Sequence, residues 1–237
     1  TIGGMVVSKK IKFFLRQYQA KHHFHLGRTV ANDTFFYLTE HIDGPATTTL
    51  DSLDIGNKGS YQSTVLSYYN RYLQTAAGYL KKIPFSDLRV FDMVRAALPQ
   101  NTHLQIANSS AVRYIQLFDL PTGTEVFCNR GTAGIDGSTA TAMGAAQINP
   151  KKTVLITGDL SFFYDVNGLW NDYIPRDARI IVINNQGGGI FRILAGDKDT
   201  PKYDTYFETI HNRNFKNVAK SFGLGYKHVK TKWGLKQ

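Results

Sequence analysis

Two apolar runs in the sequence end in residues that could hold a metal ion. The run at residues 153–157 (Thr-Val-Leu-Ile-Thr) is followed by Gly-Asp, with the carboxylate at Asp159. The run at residues 181–183 (Ile-Val-Ile) is followed by two asparagines, the second of which is Asn185. Since buried parallel strands are rich in β-branched residues, both runs are interpreted as such strands, with an acidic metal site where they end.

The chemistry expected of these residues is the binding of a metal ion together with a phosphate. A hard cation such as Mg²⁺ takes oxygen ligands and shares some of them with a substrate phosphate. Asp159, Asn185 and the carbonyl of Gly187 would supply one side of its coordination sphere. Leu160 and Ser161 are expected just before a helix, where backbone N–H groups meet phosphate oxygens. On the pattern alone, ordinary turn residues at strand ends explain the sequence equally well.

Regular alternation of strands and helices after residue 85 predicts the frame that brings these residues together. Short strands separated by helices are typical of an α/β domain with a mainly parallel sheet. The polar loops that follow the strands should therefore gather along one edge of that sheet. The predicted helices are 86–98, 111–118, one ending at 147, 164–173 and 214–222, and the predicted strands are 103–107, 125–128, 153–157, 179–183 and 226–229.

The first 84 residues have a less regular pattern. The predicted elements are strands at 2–7, 22–26 and 35–38, a helix capped by Ser8 with its apolar stripe at Ile11, Phe14, Leu15 and Tyr18, and a long helix at 61–82. Ile83-Pro84 ends that helix, and a domain boundary is placed there. Loops are predicted at 43–49 and 56–60. The closely spaced His22, His23 and His25 lack an acidic or cysteine partner at a useful spacing, so a metal role for them is disfavoured.

The composition is that of a globular protein with a basic balance. Of its 237 residues 42% are hydrophobic and 19% charged, and the net charge is +10. Because no run of about 18 apolar residues occurs, no membrane span is predicted. The charge favours anionic partners, and a nucleic-acid- or anion-binding module is one alternative. Nucleic acid is nevertheless not expected, because the sequence has no recognisable nucleic-acid-binding motif.

The single cysteine and the N-terminus bear on compartment and completeness. Cys128 cannot form an internal disulfide and is interpreted as a small core hydrophobe, which fits a reducing, cytoplasmic location. The chain begins at Thr1 with neither an initiator methionine nor a signal peptide. It is therefore expected to be a fragment.

Three motifs, taken together, resemble one family. They are Gly-Asp-Leu-Ser at 158–161 followed by Asn-Asn at 184–185, Asn-Arg-Gly-Thr-Ala-Gly-Ile-Asp-Gly-Ser at 129–138, and Asn-Ser-Ser-Ala-Val-Arg at 108–113. The combination resembles the thiamine-diphosphate-dependent enzymes, in particular their menaquinone-pathway branch, and covers about residues 86–195. It departs from the usual family form at Leu160, where a glycine is typical. The first 84 residues resemble the family's central domain more weakly, mostly through Val-Ser-Lys-Lys at 7–10.

The resemblance implies a fold and a cofactor site. The fold is α/β: a three-layer, parallel-sheet thiamine-diphosphate-binding domain at 85–237, truncated at its C-terminus, preceded by a partial central domain and linker helix at 1–84. The implied cofactors are thiamine diphosphate and Mg²⁺ (or Mn²⁺), with Asp159, Asn185 and Gly187 as metal ligands. Ile135 would be the apolar wedge that bends the cofactor, and the remaining implied cofactor contacts are Gly158, Leu160 and Ser161.

The resemblance also implies the substrates. They are two dicarboxylates, 2-oxoglutarate and isochorismate, for which Arg113 and Arg130 match substrate-binding arginines; the planar guanidinium suits bidentate binding of a carboxylate. Lys9 and Lys10 would add positive charge from the central domain, although a solvated surface explains them as well. Asn108, Ser109 and Phe191 are further expected pocket residues.

The implied reaction is decarboxylation of 2-oxoglutarate and addition of the resulting carbanion to isochorismate, with chemistry carried by the cofactor. In this family a separate N-terminal domain supplies the activating glutamate across a dimer interface. The present chain is therefore expected to hold no catalytic residue of its own and to be silent alone, while the full-length enzyme would be a homodimer or homotetramer. The alternative is another thiamine-diphosphate enzyme, of the acetolactate synthase or 2-oxo acid decarboxylase type, against which the 129–138 loop and Leu160 argue.

Overall fold

A four-stranded parallel sheet carries the residues of interest. Its strands are β3 (His103–Ile106), β4 (Glu125–Cys128), β5 (Thr153–Gly158) and β6 (Arg179–Ile183), in the order β4-β3-β5-β6. All three pairings are parallel. The structure is a computed structural model that describes residues 1–3, 6, 8–27, 30–52, 59–132, 134–194 and 198–236.

The strand order places a crevice at one end of the sheet. From β3 the chain passes to β4 on one side and then crosses to β5 on the other. At such a switch point the loops after the two central strands diverge and leave a crevice at their carboxyl ends, where α/β proteins bind ligands. The segments that follow Ile106 and Gly158 flank this crevice.

Buried side chains alternate between the two faces of the sheet. Leu104, Ile106, Val154 and Ile156 belong to one apolar cluster, which also contains Phe91 and Val94 from the helix that precedes β3. Leu155 belongs to a second cluster with Met143, Phe162 and Phe215, which come from three other helices. Because neighbouring residues of a strand point to opposite faces, the two clusters are the two cores of a three-layer structure. The predicted α/β class with a three-layer parallel sheet is confirmed.

Helices cover both faces of this sheet. They are α4 (Asp87–Ala97), α5 (Ser110–Ile115), α6 (Ser138–Ile148), α7 (Asp159–Tyr164), α8 (Ile190–Ile193), α9 (Phe215–Ser221) and α10 (Lys232–Lys236), with a 3₁₀ turn at Val166–Leu169 and a π-helical turn at Tyr203–Glu208. The predicted strands at 103–107, 125–128, 153–157 and 179–183 are found within one residue of their expected bounds. The α9 helix begins as predicted, with the Asn214 side chain accepting from Lys216 N–H and Asn217 N–H.

Three sequence-based elements of this region are wrong. The helix expected at 164–173 starts instead at Asp159, directly after β5, because Gly158 is an extended N-cap and an acidic residue suits a helix's first turn. The helix expected at 111–118 ends at Ile115. Residues 226–229 form no strand within the described part of the chain, since the apolar alternation there finds no strand partner.

The chain divides into two compact units, Thr1–Asn70 and Arg71–Gln237. The first contains α1 (Lys9–Gln17), the parallel pair β1 (Phe24–Leu26) and β2 (Glu40–Ile42), and α2 (Ala46–Ser52). The division falls inside α3 (Tyr61–Lys82), which has the bounds expected from the sequence. The domain boundary placed after residue 84 stays a prediction.

Within the first unit, Ser8 caps α1 as expected, its hydroxyl accepting from Ile11 N–H. The strand predicted at 35–38 is wrong: those residues form turns and bends held by the Asp33 side chain, and β2 lies at 40–42 instead. The loop predicted at 43–49 contains the start of α2. Of the strand predicted at 2–7 only the Ile2 bridge to Leu26 lies in described residues, and residues 56–58 lie outside them.

Across the ranges that the structure covers, no helix is both long and apolar enough to cross a membrane.

Candidate functional site

A cavity of about 310 Å³ lies at the carboxyl ends of the strands in the second unit. Its volume is at the lower end of the range of small-molecule pockets. Every site residue that the sequence predicted within this unit lines it. The lining consists of Asp87, Phe91, Asn108, Ser109, Ser110, Ala111, Arg113, Tyr114, Arg130, Ile135, Gly158, Asp159, Leu160, Ser161, Ile183, Asn185, Gly187, Gly188, Gly189, Ile190, Phe191 and Leu194.

Asp159 is the buried carboxylate of the cavity, with 2% of its surface exposed. Its Oδ2 accepts the backbone N–H of Gly187 at 2.9 Å, and its Oδ1 accepts the N–H of Leu160 at 2.7 Å. Burial raises the pKa of Asp159 above its usual range, and the N–H groups of Leu160 and Gly187 and the nearby His211 oppose that rise. The loop after β6 is thus tied directly to the end of β5.

His211 approaches Asp159 from the side of the π-helical turn. Its Nε2 lies 3.4 Å from Oδ2 of Asp159, outside hydrogen-bonding geometry, and its side chain is buried. Its Nδ1 accepts the backbone N–H of Arg213 at 3.2 Å, so in the neutral ring the proton is on Nε2. The Nε2 side of the imidazole therefore lies near the carboxylate without a hydrogen bond to it.

Asn185 presents an oxygen without a partner. Its Nδ2 donates to Oδ2 of Asp87 at 2.9 Å. Its Oδ1 is buried, and none of the described residues donates a hydrogen bond to it. A buried acceptor left unpaired costs about 1–3 kcal/mol, so such atoms in proteins are usually satisfied by water, an ion or a ligand.

The glycines after β6 are required by close packing. Gly187 has φ +152°, and a Cβ there would lie 2.6 Å from the carbonyl oxygen of Glu208. The N–H of Gly188 donates to that same carbonyl at 2.5 Å. The Glu208 side chain in turn pairs with Arg192. The loop is thereby held against the π-helical turn.

The oxygen atoms at this end of the cavity fit a magnesium ion. Asp159 contributes a carboxylate and Asn185 an amide oxygen that is unpaired within the described part of the chain. Gly187 contributes a carbonyl that accepts the N–H of Gly189 and has a second lone pair. Mixed oxygen sets of this kind suit Mg²⁺. Among the described residues no cluster of three or more His, Cys, Asp and Glu side chains is arranged for a metal.

Asn108 fastens the loop at 129–137 to the end of β3. Its side chain is buried, and its Nδ2 donates to the carbonyls of Asn129 and Gly134. Its Oδ1 accepts from Arg130 Nη1 at 3.1 Å and from the Cys128 thiol at 3.6 Å. One buried amide therefore sets the position of Arg130 and of the loop that leads to Ile135.

Ile135 and Ser161 meet at the floor of the cavity. The Ser161 hydroxyl donates to the carbonyl of Ile135 at 2.6 Å, and the half-buried Ile135 side chain lines the cavity. Leu160 and Ser161 belong to the first turn of α7 instead of preceding it, which corrects the sequence-based placement. Because the N–H of Leu160 is already bonded to Asp159, that group is engaged in positioning the carboxylate.

Two arginines line the same cavity as the carboxylates. Arg113 is exposed on α5, and its Nη1 donates to the carbonyl of Ser109 at 2.6 Å. Ser109 itself has φ +67°, a strained conformation for a residue with a side chain, at the turn that starts α5. Each guanidinium has five N–H donors, so Arg113 and Arg130 both retain donors beyond these bonds.

The remaining predicted residues are also located. Phe191 lines the cavity and packs edge-on against Phe207, with ring centroids 5.7 Å apart. Lys9 and Lys10 are exposed in the first turn of α1, in the other unit, and their contact with a substrate stays a prediction.

Sequence reasoning missed Asp87, Tyr114, Glu208 and His211. Asp87 follows a predicted helix cap and looked like an ordinary first-turn acid. Glu208 and His211 lie in a segment with no recognised motif. Their roles arise from contacts across long sequence separations, such as the 98 residues between Asp87 and Asn185, and no local pattern marks them.

Comparison with known proteins identifies what this arrangement is similar to. Residues 109–237 match the family model described as the thiamine pyrophosphate enzyme, C-terminal TPP binding domain. Curated proteins named 2-succinyl-5-enolpyruvyl-6-hydroxy-3-cyclohexene-1-carboxylate synthase are similar over nearly the whole chain. That of Flavobacterium psychrophilum is 49% identical over 230 residues, which are 95% of this chain and 42% of that protein.

Two further relatives carry the same name. The protein of Flavobacterium johnsoniae is 48% identical over 95% of this chain and 41% of its own length. That of Bacteroides fragilis is 36% identical over 97% of this chain and again 41% of its own length. The chain therefore spans about two fifths of the length of these relatives.

Proposed function

The chain belongs to the thiamine pyrophosphate enzymes, matching their C-terminal TPP-binding domain, and we propose that it is the cofactor-binding part of a 2-succinyl-5-enolpyruvyl-6-hydroxy-3-cyclohexene-1-carboxylate synthase of menaquinone biosynthesis. The observation that carries the proposal is the single cavity in which Asp159, Asn185 and Gly187 meet Arg113 and Arg130. The relatives that share this name support the specific activity.

The cofactors in this proposal are thiamine diphosphate and Mg²⁺ or Mn²⁺. Asp159, Asn185 and the Gly187 carbonyl would hold the metal ion, and the unpaired Oδ1 of Asn185 supports that assignment. When bound, thiamine diphosphate supplies the carbanion-stabilising chemistry that decarboxylates a 2-oxo acid. The side chain of Ile135 would be the apolar wedge that bends the cofactor. Gly158, Leu160 and Ser161 would line the part of the site that takes the diphosphate.

The substrates in this proposal are 2-oxoglutarate and isochorismate. Both are dicarboxylates, and the positive side chains lining the cavity among the described residues are Arg113 and Arg130. Their planar forks can bind a carboxylate through two parallel hydrogen bonds. Asn108 and Ser109 hold the two guanidinium groups in place, and Phe191 adds an apolar wall.

The proposal places the activating glutamate outside this chain. No glutamate lines the cavity within the described ranges, and the chain spans about 41% of its relatives' length. We propose that the full-length protein is a homodimer or homotetramer whose pyrimidine-binding part completes the site. The single cysteine supports a cytoplasmic location.

Isothermal titration calorimetry of the full-length protein with thiamine diphosphate and Mg²⁺ tests the cofactor assignment. Asp159→Ala should weaken cofactor binding by about tenfold or more, because the bridging metal loses its only charged protein ligand in the proposed set. Asp119→Ala, at an exposed position after α5, is the control and should bind as wild type. Equal binding by the wild-type and Asp159→Ala proteins would contradict the metal assignment.

Assays with alternative substrates test the specific activity. The full-length protein should use 2-oxoglutarate as donor and isochorismate as acceptor in preference to pyruvate or simple aldehydes. A preference for pyruvate would favour the acetolactate synthase or 2-oxo acid decarboxylase type instead.

Arg130→Gln should raise the KM for the dicarboxylates, while Arg179→Gln, on the edge strand β6, should leave it unchanged.

A further inference from the structure

A carboxylate outside the predicted ligand set contacts Asn185. Asp87 is the first residue of α4, and its Oδ2 accepts the Nδ2–H of Asn185 at 2.9 Å across 98 residues of sequence. Asp87 also lines the cavity. Asp87 thus accepts a hydrogen bond from the side-chain amide of this proposed metal ligand.

The chemistry of this contact decides how the amide is turned. An ionised carboxylate has acceptors and no donors, so only the NH₂ side of the asparagine amide can face it. The amide oxygen must then point the other way. That oxygen is the buried Oδ1 for which the described residues provide no donor.

The surroundings leave the amide little freedom to turn over. A Cβ at Gly189 would lie 2.6 Å from Nδ2 of Asn185, so the backbone of the loop passes directly against the amide nitrogen. On the other side, α4 is anchored in the core through the buried Phe91 and Val94. Asp87 is therefore presented from a packed helix and not from a mobile side chain on a loop.

On the adjoining helix α5, the phenol of Tyr114 lies close enough to Asp87 to be influenced by its charge. Burial raises the pKa of Tyr114, and the negative charge of Asp87 raises it further. Tyr114 stacks on Phe91 with ring centroids 5.2 Å apart. The carboxylate thus faces the cavity beside a neutral ring, with the Asn185 amide as its hydrogen-bond donor.

We propose that Asp87 is a positioning residue that fixes the side-chain amide of Asn185 so that its oxygen faces the divalent cation. This inference rests on the proposed function, because it presumes a cation at Asn185. Asp87 acts through Asn185 and does not itself contact the cation. Partners of this kind around a metal site typically change the metal affinity by about 10–100-fold when removed.

Selective ¹⁵N-asparagine labelling tests the contact in the absence of metal. The side-chain NH₂ signal of Asn185, assigned by its loss in Asn185→Ala, should be distinct and slow to exchange in the wild type. In Asp87→Ala it should move toward the position of an exposed amide. In Asp92→Ala, which removes both ion pairs of the same helix with Arg89 and Arg95, it should stay unchanged. An unchanged signal in Asp87→Ala overturns the proposal.

Mn²⁺ binding, followed by the electron paramagnetic resonance of the free ion in the presence of thiamine diphosphate, tests the consequence. Asp87→Ala should weaken Mn²⁺ binding about tenfold, and Asp87→Asn should fall between it and the wild type because a neutral oxygen accepts more weakly than a carboxylate. Asp92→Ala should bind as wild type, although it destabilises α4. Equal affinities for the wild type and Asp87→Ala, or equal losses in Asp87→Ala and Asp92→Ala, overturn the positioning role.

The two experiments separate this inference from the function on which it rests. A wild-type protein that binds no Mn²⁺ with thiamine diphosphate overturns the proposed function, and the positioning role with it, whatever the amide signal does. Normal Mn²⁺ binding in the wild type together with an unaffected Asp87→Ala protein overturns the positioning role alone. A shift of the amide signal toward the position of an exposed amide, with a tenfold weaker affinity in Asp87→Ala, supports both.

Discussion

At the scale of single residues, the candidate site depends on which polar atoms are already bonded and which are left open. Both oxygens of Asp159 accept backbone N–H groups, which fixes the carboxylate at the end of β5. The amide of Asn185 is bonded on its nitrogen side only. These assignments follow from donor and acceptor chemistry. The glycines of the loop after β6 allow the close packing that places these atoms.

Gly187→Ala should destabilise the protein by about 1–3 kcal/mol. The reason is the φ of +152° together with the 2.6 Å approach of a Cβ to the Glu208 carbonyl oxygen. Urea unfolding measures the change. Gly144→Ala is the matched control, because Gly144 is exposed in α6 with open space around it. Alanine there should raise the free energy of unfolding by up to about 1 kcal/mol. Equal stability of the two variants would contradict the packing described for the loop.

Cys128 should react slowly with an alkylating reagent at neutral pH. Burial raises the pKa of its thiol, while Arg130 acts in the opposite direction. Because the thiolate is the reactive form, the rate should rise only at a higher pH than for an unfolded thiol. Iodoacetamide rates between pH 7 and pH 10, in folded and urea-unfolded protein, measure the difference. Coincident profiles would show that the thiol is not protected.

At the scale of elements, the site is made by loops that hydrogen-bond to residues at the ends of neighbouring strands. Asn108, at the end of β3, bonds the loop at 129–137, and Ser161 in α7 bonds the same loop through Ile135. The loop after β6 is held by Asp159 and by the π-helical turn. Each strand end is thus positioned by a neighbour's loop.

Asn108→Ala should loosen the loop at 129–137 and cost about 1–3 kcal/mol, because the carbonyls of Asn129 and Gly134 lose the donor that the buried Asn108 side chain provides. The peptide bond after Arg130 should become a faster site of trypsin cleavage, since Arg130 loses its contact with Asn108. Timed digestion and mass spectrometry measure the rate. Asn217→Ala, on the exposed face of α9, is the control. Equal cleavage rates after Arg130 would mean that Asn108 does not hold the loop.

At the scale of the whole molecule, the chain consists of two compact units and spans about two fifths of its relatives' length. The cavity, the proposed metal ligands and both arginines belong to the second unit. Lys9 and Lys10 belong to the first. The glutamate that the proposed reaction requires is assigned to neither.

The 237-residue chain by itself should therefore give no detectable turnover of 2-oxoglutarate with isochorismate. The full-length protein should be active in the same assay, because it would bring the activating glutamate to the cofactor. Isochorismate consumption followed by absorbance measures both. Turnover by the isolated chain at the rate of the full-length protein would show that the catalytic groups are all within these residues.

The sequence by itself determined the fold class and the strand ends on which the site is built. Its β-branched runs predicted β5 and β6, because strands buried in a parallel sheet are rich in such residues. The regular alternation of strands and helices predicted β3 and β4. The polar residues directly after those strands, Asp159 and Asn185 among them, were predicted to meet because the carboxyl ends of parallel strands share an edge. Local chemistry was sufficient for these conclusions.

Only the tertiary structure decided which polar atoms of the site are hydrogen-bonded and which are left without a partner among the described residues. The contact of Asp87 with Asn185, the approach of His211 to Asp159 and the packing of Gly187 on Glu208 all join distant segments. The strand expected at 226–229 failed for the same reason, because it finds no strand partner in the described part of the chain. The helix expected at 164–173 instead begins at Asp159 for a local reason, the extended cap at Gly158. A pattern of side chains states what a segment could bury or bond, whereas the partner that it finds is set by where the rest of the chain lies.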